Sequence, residues 1–480
     1  MNNPTVWLLA AIAAPCLLLA VRYWRSALFS VFVLLVFEGA LRKWAFPSAQ
    51  AQIYLVKDAI LLAAYLGFIL DSRRNLSSLK GVGLIKIVLM VSFVFGCFEV
   101  LNPNSPSILV GLMGLKTYFL YAPIAFILPY AFTSREHLFV LIRRYLIMAI
   151  PVAVFGFMQI MAGPESSLNT YVSYTEDETP LAHFGVEYDL VRTAGTFSYI
   201  TGYTAFLSFV AFLAIGYNMA NGWRFKNNIA PLLALTVVVG AMFTTGSRAP
   251  VYTLVATGPV ILGLAVTGRV LPSQTAARLF ILLPVLAIVA LNLSPEAVQG
   301  FLERADSAGD STLGRILMPF DETIDVLTVG PALGMGIGAT HPSALPIMGV
   351  DLPWWLNDIM PEGEMARVTL ELGVLGLLLI YALRFLIPAF ALRCAMSFKD
   401  PAYRALGIVL VVYLALGLVS PVIINATAGL YYWGSLGLVL TMRRLEQFRG
   451  IKAGTILVRG ADKTTNLGPV MPMGARRRPS

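Results

Sequence analysis

The sequence contains little charge and few residues that build metal or disulfide sites. Only 13% of its 480 residues are Asp, Glu, Lys or Arg, against about 25% in average soluble domains. By contrast, 58% of the residues are hydrophobic and the mean hydropathy is +0.76. This composition excludes a soluble globular protein. The three cysteines lie in or beside apolar runs, so they form neither a disulfide framework nor a cysteine-based zinc site.

Motifs of cofactor chemistry are also missing from the sequence. It contains no Walker loop, metal-ligand cluster or Cys-His nucleophile pair, and no cofactor is expected. Gly334, Gly336 and Gly338 indicate a turn rather than a nucleotide fingerprint, because no strand of a βαβ unit precedes them. The net charge of +9 is explained by membrane topology, so we expect no nucleic-acid partner.

Long apolar runs fill most of the chain. A bilayer-spanning helix takes about 20 mostly apolar residues, because every backbone polar group must be paired internally. Thirteen segments qualify or nearly do: 5–21, 26–41, 52–70, 82–100, 112–132, 138–162, 198–219, 229–245, 250–267, 278–293, 365–392, 404–424 and 427–442. The sequence therefore predicts an all-α polytopic membrane domain over residues 1–442, with 12 to 14 transmembrane helices.

The charged residues are distributed unequally between the two sides of this bundle. Lys and Arg gather in alternate connections and in the tail 443–480, which predicts that these segments are cytoplasmic and that the tail is disordered. A second interpretation of the basic charge in the tail is that it contacts anionic membrane lipid. Two long connections, 163–197 and 294–364, hold 17 of the 26 acidic residues and fall outside. In the second, Ile316, Phe320 and Ile324 recur at helical spacing, which predicts an amphipathic helix across the mouth of the bundle.

Three arginines of the outer face are candidate anion ligands. Arg192, Arg248 and Arg315 are each flanked by small residues, which allow a large ligand to approach the backbone. A guanidinium group binds phosphate oxygens in a bidentate manner, so the three predict a phosphate-binding pocket. The simpler alternative is that each arginine pairs with the abundant acids of the two loops.

A second group of charged residues lies at the start of the eleventh predicted span, 365–392. Glu364, Arg367 and Glu371 are spaced by three and four residues and share one face of a helix. Ionisable groups at such a depth face the interior and are functional candidates, although a structural Arg367–Glu371 pair is the alternative. Glu362 and Glu364 are predicted to stand at the water edge, where a desolvated carboxylate can act as a general base.

The chain resembles the O-antigen ligase/polymerase superfamily of bacterial envelope glycosyltransferases in an ordered set of motifs. These are Arg192-Thr-Ala-Gly-Thr-Phe197, Gly246-Ser-Arg248, Gly314-Arg315, the stretch from Pro331 to Gly338, and Glu371-Leu-Gly-Val-Leu-Gly376. In addition, Glu38-Gly-Ala-Leu-Arg-Lys-Trp-Ala-Phe-Pro47 resembles a motif of an exopolysaccharide-type branch. The resemblance implies a glycosyltransferase-C-like architecture in the bacterial inner membrane.

The resemblance also implies a reaction and its partners. In this superfamily a flippase delivers a glycan on undecaprenyl diphosphate, and the enzyme transfers it at the periplasmic face onto an acceptor hydroxyl, without a metal. Arg192, Arg248 and Arg315 would bind the diphosphate. A chain-length regulator is a further partner of some members.

The candidate bases follow from one departure from the family pattern. Ligases have His-Asn nine and eight residues before the glutamate of Glu-x-Gly-x-x-Gly, whereas counting back from Glu371 gives Glu362-Gly363 here. The remaining bases are Glu362, Glu364 and His341, with His183 a weaker fourth. The missing histidine favours a repeat-unit polymerase, with a ligase or a flippase-like transporter as the alternatives.

Overall fold

The computed structural model describes residues 14–72, 79, 81–172, 181–184, 190–222, 225–266, 284–285, 288–289, 291–307, 312–341 and 361–464. These residues are almost entirely helical. The helices are α1 (Trp24–Ala40), α2 (Gln50–Leu70), α3 (Gly83–Glu99), α4 (Ile108–Phe119), α5 (Ala122–Ala131), α6 (Arg135–Ala162), α7 (Ile200–Ala220), α8 (Phe225–Thr244), α9 (Arg248–Val266), α10 (Pro295–Ser307), α11 (Thr312–Val329), α12 (Glu364–Ser397), α13 (Pro401–Leu416) and α14 (Ala426–Thr464). A π-helical turn, Leu41–Ala45, extends α1, and strands β1 (His183–Phe184) and β2 (Leu190–Val191) form one short antiparallel pair.

Several helices are long and apolar enough to cross a membrane. By length and composition there are five in the described chain, Trp24–Ala45, Pro47–Leu70, Arg135–Ala162, Ile200–Ala220 and Glu364–Ser397. Helices α4 and α5 are bent by 43° relative to each other and make a sixth span if they are taken together. The predicted class is therefore confirmed: the chain is an all-α polytopic membrane protein.

Eleven of the thirteen predicted segments overlap described helices, although 112–132 covers both α4 and α5, and 404–424 continues past the end of α13 at Leu416. The segments 5–21 and 278–293 lie partly outside the described residues. Helix α14 continues from the last predicted span into the basic tail and ends at Thr464. Residues 465–480 lie outside the described part.

Helix α7 forms the centre of the bundle. Most of its side chains are buried around its whole circumference, as expected for a helix surrounded by other helices. It packs against α6, α8, α13 and α14. The Phe209 ring stacks on the Tyr431 ring of α14 with centroids 4.2 Å apart, and Tyr145 of α6 shares a 2.6 Å hydrogen bond with the Tyr431 hydroxyl.

Contacts between the connections define the two ends of the bundle. At one end, Arg135 pairs with Asp400 at 3.2 Å, among the arginine-rich connections. At the other end, the Trp44 indole donates to the Ser167 carbonyl at 3.0 Å, and the Asn102 amide donates to the Gly334 carbonyl at 3.3 Å. This second end, called the loop end below, carries the described parts of both acidic connections.

Candidate functional site

A glycine-rich turn at the loop end is held by Glu371 of α12. The Oε1 atom of Glu371 accepts hydrogen bonds from the Thr340 amide (2.9 Å) and the Thr340 hydroxyl (2.6 Å). Its Oε2 atom accepts from the Gly338 amide (3.0 Å) and the Tyr118 hydroxyl (2.8 Å). Both carboxylate oxygens therefore have two donors each, and the side chain is buried. Glu371 therefore fixes the turn and also lines the small pocket described below, and its contact with substrate remains a prediction.

The turn depends on a break in α12. Gly373 has φ +63° and ψ −167°, which is outside helical conformation, and a side chain there would strike the Ala332 carbonyl. The turn then pairs with α12, since the amides of Met335 and Gly336 donate to the carbonyls of Leu370 and Glu371 at 2.8 and 3.0 Å. The prediction that this glycine stretch forms a turn is confirmed.

Gly338 offers a direct test of this turn. It has φ +87°, and a Cβ atom would lie 2.6 Å from the Val110 carbonyl oxygen and 2.7 Å from the Gly114 Cα. We expect Gly338→Ala to lower the free energy of unfolding by more than about 2 kcal/mol, because backbone strain and a clash add together. Thermal unfolding of the purified protein measures this loss.

Gly163→Ala is the matched control for that substitution. Gly163 also has a positive φ, +75°, but a Cβ atom there meets nothing within 4 Å. Only the conformational cost of about 1–3 kcal/mol should appear, without the added clash. Equal losses in the two variants would show that the contact between Gly338 and α4 contributes nothing.

Glu364 is an anchor rather than a carboxylate at the water edge, and this part of the prediction is wrong. It is buried and forms an ion pair with Arg384. Its Oε1 also accepts from the Val422 amide at 2.9 Å, and its Oε2 accepts from the amides of Ile423 and Ile424 at 2.7 and 2.9 Å. Four donors leave neither oxygen available as a proton acceptor for a substrate hydroxyl.

His341 and Arg367 line one small pocket between these two anchored loops. Thr117, Tyr118, Ile423 and Ile424 complete most of its wall. The Arg367 Nε donates to the Pro361 carbonyl at 2.7 Å. This backbone contact orients Arg367, in place of the Arg367–Glu371 ion pair that was the alternative prediction. Burial lowers the pKa of His341 to about 4, and the nearby charge of Lys116 adds to this shift. The imidazole is therefore neutral at neutral pH.

Arg192 packs against the turn that contains Arg248. The Arg192 Nε donates to the Thr245 carbonyl at 2.9 Å, and the hydroxyls of Thr193 and Thr244 are hydrogen-bonded at 2.7 Å. Burial lowers the pKa of Arg192, although a guanidinium remains protonated at any ordinary pH. Arg248 is half-buried and begins α9 two residues after Gly246, whose φ is +57°. The structure thus brings the two predicted arginine motifs together.

The remaining predicted residues lie around this face. Arg315 is the fourth residue of α11, and its side chain is outside the described part. The Glu362 side chain is exposed, and His183 is exposed on β1.

Helix α11 forms where the spacing predicts it, and it supports the start of α12. The Glu322 carboxylate of α11 accepts from the amides of Glu362 and Gly363 at 3.2 and 2.7 Å. Phe320, Ile324 and Leu327 of α11 remain exposed.

A buried chain of charges was missed by the sequence reasoning. Lys57 of α2 pairs with Glu38 at 2.8 Å, and Lys116 of α4 pairs with Asp58 at 2.7 Å. A longer contact of 3.8 Å between Lys57 and Asp58 joins the two pairs, and Arg42 adds to them at 3.5 Å from Glu38. Charges inside otherwise apolar spans were the available signal for this group.

The same charges hold the segment that contains the Arg192 motif. Arg42 donates to the Ser198 hydroxyl at 3.0 Å, and Lys43 donates to the Gly195 carbonyl at 2.8 Å. A side chain at Gly39 would strike the backbone of Phe197 and Ser198 at 2.2 Å, so α1 approaches this segment backbone to backbone. The Glu38–Pro47 motif and the Arg192 motif therefore form one structural unit.

No protein-family model matches the chain, and no curated protein matches it either.

Proposed function

We propose that the chain is a membrane glycosyltransferase of the O-antigen ligase/polymerase type. It transfers a glycan from undecaprenyl diphosphate to an acceptor hydroxyl at the periplasmic face, most simply as a polymerase of exopolysaccharide or O-antigen repeat units. The observation that carries this proposal is the pocket of His341 and Arg367, at the same end as the paired motifs of Arg192 and Arg248.

The proposed reaction replaces one glycosidic bond with another. The acceptor oxygen attacks the anomeric carbon of the donor, the bond from that carbon to the phosphate oxygen breaks, and undecaprenyl diphosphate leaves. Arginines stabilise the negative charge that grows on the leaving diphosphate. The acceptor proton passes to a general base.

His341 is the base that the contacts favour. It is neutral above a pH of about 4 and lines the pocket beside Arg367. Glu362 is the second candidate, because its carboxylate is exposed close to the start of α12. Glu364 is no longer a candidate, since both of its oxygens are saturated.

The proposed setting is the bacterial inner membrane, with 12 to 14 spans in a glycosyltransferase-C-like arrangement and two periplasmic connections, 163–197 and 294–364. The arginine-rich connections at the opposite end support this orientation, because Lys and Arg remain cytoplasmic. A flippase supplying the donor and a chain-length regulator are the proposed protein partners.

The arginines provide the test of this function. In a strain lacking the gene, Arg248→Ala and Arg315→Ala should lower polymer formation about 10²–10³-fold, because each removes a donor to the leaving group. Arg315→Lys should restore little, since the bidentate fork is lost. Gel analysis of polymer and quantification of the membrane protein measure both effects.

Arg143→Ala is the control, because Arg143 is exposed on α6 near the opposite end. Normal polymer from both loop-end alanine variants would remove the diphosphate assignment.

The products of the deletion strain distinguish the alternative functions. Lipid-linked single repeats would identify a polymerase, and full-length unattached polymer would identify a ligase. Accumulation of donor on the cytoplasmic face would identify a transporter.

A further inference from the structure

An apolar groove lies between α1 and α6, away from the loop end. It has a volume of about 340 Å³, which is within the range of small-molecule sites. Buried residues of α7 and α14, among them Phe209 and Gly434, form its floor. This groove is here called the side groove, and the residues at its two edges include Phe32, Val33, Leu141, Arg144 and Met148. Because Phe132, between α5 and α6, also lines it, the side groove lies near the end with the arginine-rich connections.

The side groove opens sideways, between two helices that touch on either side of it. The rings of Phe29 and His137 join α1 to α6 with centroids 6.1 Å apart, and those of Trp44 and Phe155 do so at 5.6 Å. Between these contacts Val33 is 41% exposed at the edge of the groove. Other exposed side chains on both helices are apolar too, as expected for a surface that faces lipid chains. The opening therefore faces the hydrocarbon of the bilayer.

Arg144 supplies the charge of the side groove. It follows the first residue of α6 by nine positions, about 14 Å along the helix axis, and its side chain is exposed. In the described part of the chain, none of the ion pairs or hydrogen bonds involves this guanidinium group. The neighbouring Tyr145 hydroxyl is already bonded to Tyr431 at 2.6 Å. A cation at such a depth needs an anionic partner, and the guanidinium fork matches phosphate oxygens.

A phospholipid with a net negative charge matches both parts of the side groove. One acyl chain fills the apolar part, where the burial of each methylene group is favourable. The phosphate reaches Arg144 at the edge, and the arginine-rich connections of the same end add a positive potential that attracts an anionic headgroup. In a zwitterionic phospholipid the cation of the headgroup cancels this attraction.

We infer that the side groove binds one anionic phospholipid, with its phosphate on Arg144 and an acyl chain between α1 and α6. The lipid comes from the leaflet at the arginine-rich end, which is the cytoplasmic leaflet in the proposed orientation. The inference does not depend on the proposed enzymatic activity. A lipid in this position contacts α1, α6, α7 and α14 together, so it stabilises the folded bundle.

The test of the charged part measures phosphatidylglycerol binding to the full-length protein in detergent, by native mass spectrometry. Arg144→Gln should weaken binding about tenfold, because it removes a charged donor to the phosphate. Arg144→Lys keeps the charge but loses the bidentate fork, so it should recover part of the affinity. Phosphatidylcholine with the same acyl chains should bind the unchanged protein at least about threefold more weakly than phosphatidylglycerol.

Arg143→Gln is the matched control for the charge. Arg143 is the exposed neighbour of Arg144 on α6, but it does not line the side groove. Its substitution should leave the affinity within about twofold of the original. Equal losses in Arg143→Gln and Arg144→Gln would indicate a general attraction of lipid to positive charge and would overturn the inference. Unchanged affinity in Arg144→Gln would overturn it as well.

The apolar part is tested by narrowing the opening. Val33→Trp places a large ring at the edge of the side groove and should weaken binding of phosphatidylglycerol and phosphatidylcholine alike, about tenfold. Val140→Trp is the matched control, because Val140 is exposed on α6 outside the groove. Both positions are exposed, so neither variant should disturb the fold. Equal affinities of the two tryptophan variants would contradict the placement of the acyl chain.

Thermal unfolding separates lipid binding from a structural role of Arg144. Added phosphatidylglycerol should raise the unfolding temperature of the unchanged protein more than that of Arg144→Gln. Equal increases in the two proteins would make Arg144 structural and overturn the inference.

Two further outcomes would assign the side groove to another occupant and overturn the inference. Displacement of phosphatidylglycerol by an equal concentration of farnesyl phosphate would assign it to an isoprenoid lipid. A change of oligomeric state in Val33→Trp, measured by gel filtration with light scattering, would assign it to a second copy of the chain.

Discussion

Glu364→Ala is expected to lower the free energy of unfolding by about 3–5 kcal/mol, the usual cost of leaving one partner of a buried ion pair alone. The substitution leaves the Arg384 guanidinium buried without its carboxylate and takes the acceptor from three consecutive amides, those of 422–424. We expect a low amount of protein in the membrane and a large decrease in unfolding temperature. Thermal unfolding of the detergent-solubilised chain measures the decrease.

Two other variants show which contacts of Glu364 account for the loss of stability in Glu364→Ala. Glu362→Gln alters an exposed carboxylate two residues away and should change stability by less than about 0.5 kcal/mol. Glu364→Ala combined with Arg384→Met removes the unpaired charge but not the unpaired amides, so it should recover only part of the loss. Stability of Glu364→Ala equal to that of the unchanged protein would contradict the anchoring role.

His341→Ala is expected to lower the rate of glycan transfer about 10²–10⁴-fold, the range that general bases contribute. The imidazole must be neutral to accept the acceptor proton. Because its pKa is lowered to about 4, activity that depends on this group should be constant from neutral pH down to about 5 and fall as the pH passes through 4. Transfer between purified lipid-linked substrates, followed over this pH range, measures both effects.

The other histidines provide the controls for His341. His183 is exposed on β1, and His137 is near the opposite end at the start of α6. Alanine at either position should leave the rate within about threefold of the original. Retained activity in His341→Ala together with a large loss in Glu362→Gln would transfer the base role to Glu362.

Local pattern was sufficient to predict most of the helices. Apolar runs gave the spans, helical spacing of Phe320 and Ile324 gave α11, and the spaced glycines gave the turn at 334–338. These features depend on neighbours within a few residues, so a single sequence contains the information for them.

The partners of the glutamates depend on distant contacts. Spacing placed Glu364, Arg367 and Glu371 on one face of a straight helix, where pairing among them was the natural expectation. Instead, Glu371 bonds to Tyr118, 253 residues away, and Glu364 bonds to amides 58 to 60 residues away. The break of α12 at Gly373 and the approach of two loops decide these partners, and neither follows from helical periodicity.

The buried charge pairs of Glu38, Lys57, Asp58 and Lys116 were missed for a related reason. These residues belong to three predicted spans that the hydropathy pattern treats as uniformly apolar, and the pairs Lys57–Glu38 and Lys116–Asp58 each join two different spans. Only the tertiary packing of α1, α2 and α4 reveals that Lys116 and Asp58 meet. A resemblance drew attention to Glu38–Pro47, but it gave no indication of Lys57, Asp58 or Lys116.

Helix α11 connects an exposed apolar surface to the start of α12, the helix that carries Arg367. Its apolar side chains at 320, 324 and 327 are outside the protein core, while Glu322 on the same helix fixes the first residues of α12. We expect a helix with such a face to lie at the lipid–water boundary. We therefore expect the thickness and composition of the surrounding leaflet to influence the position of Arg367, and detergents that replace this leaflet to alter substrate affinity before they unfold the bundle.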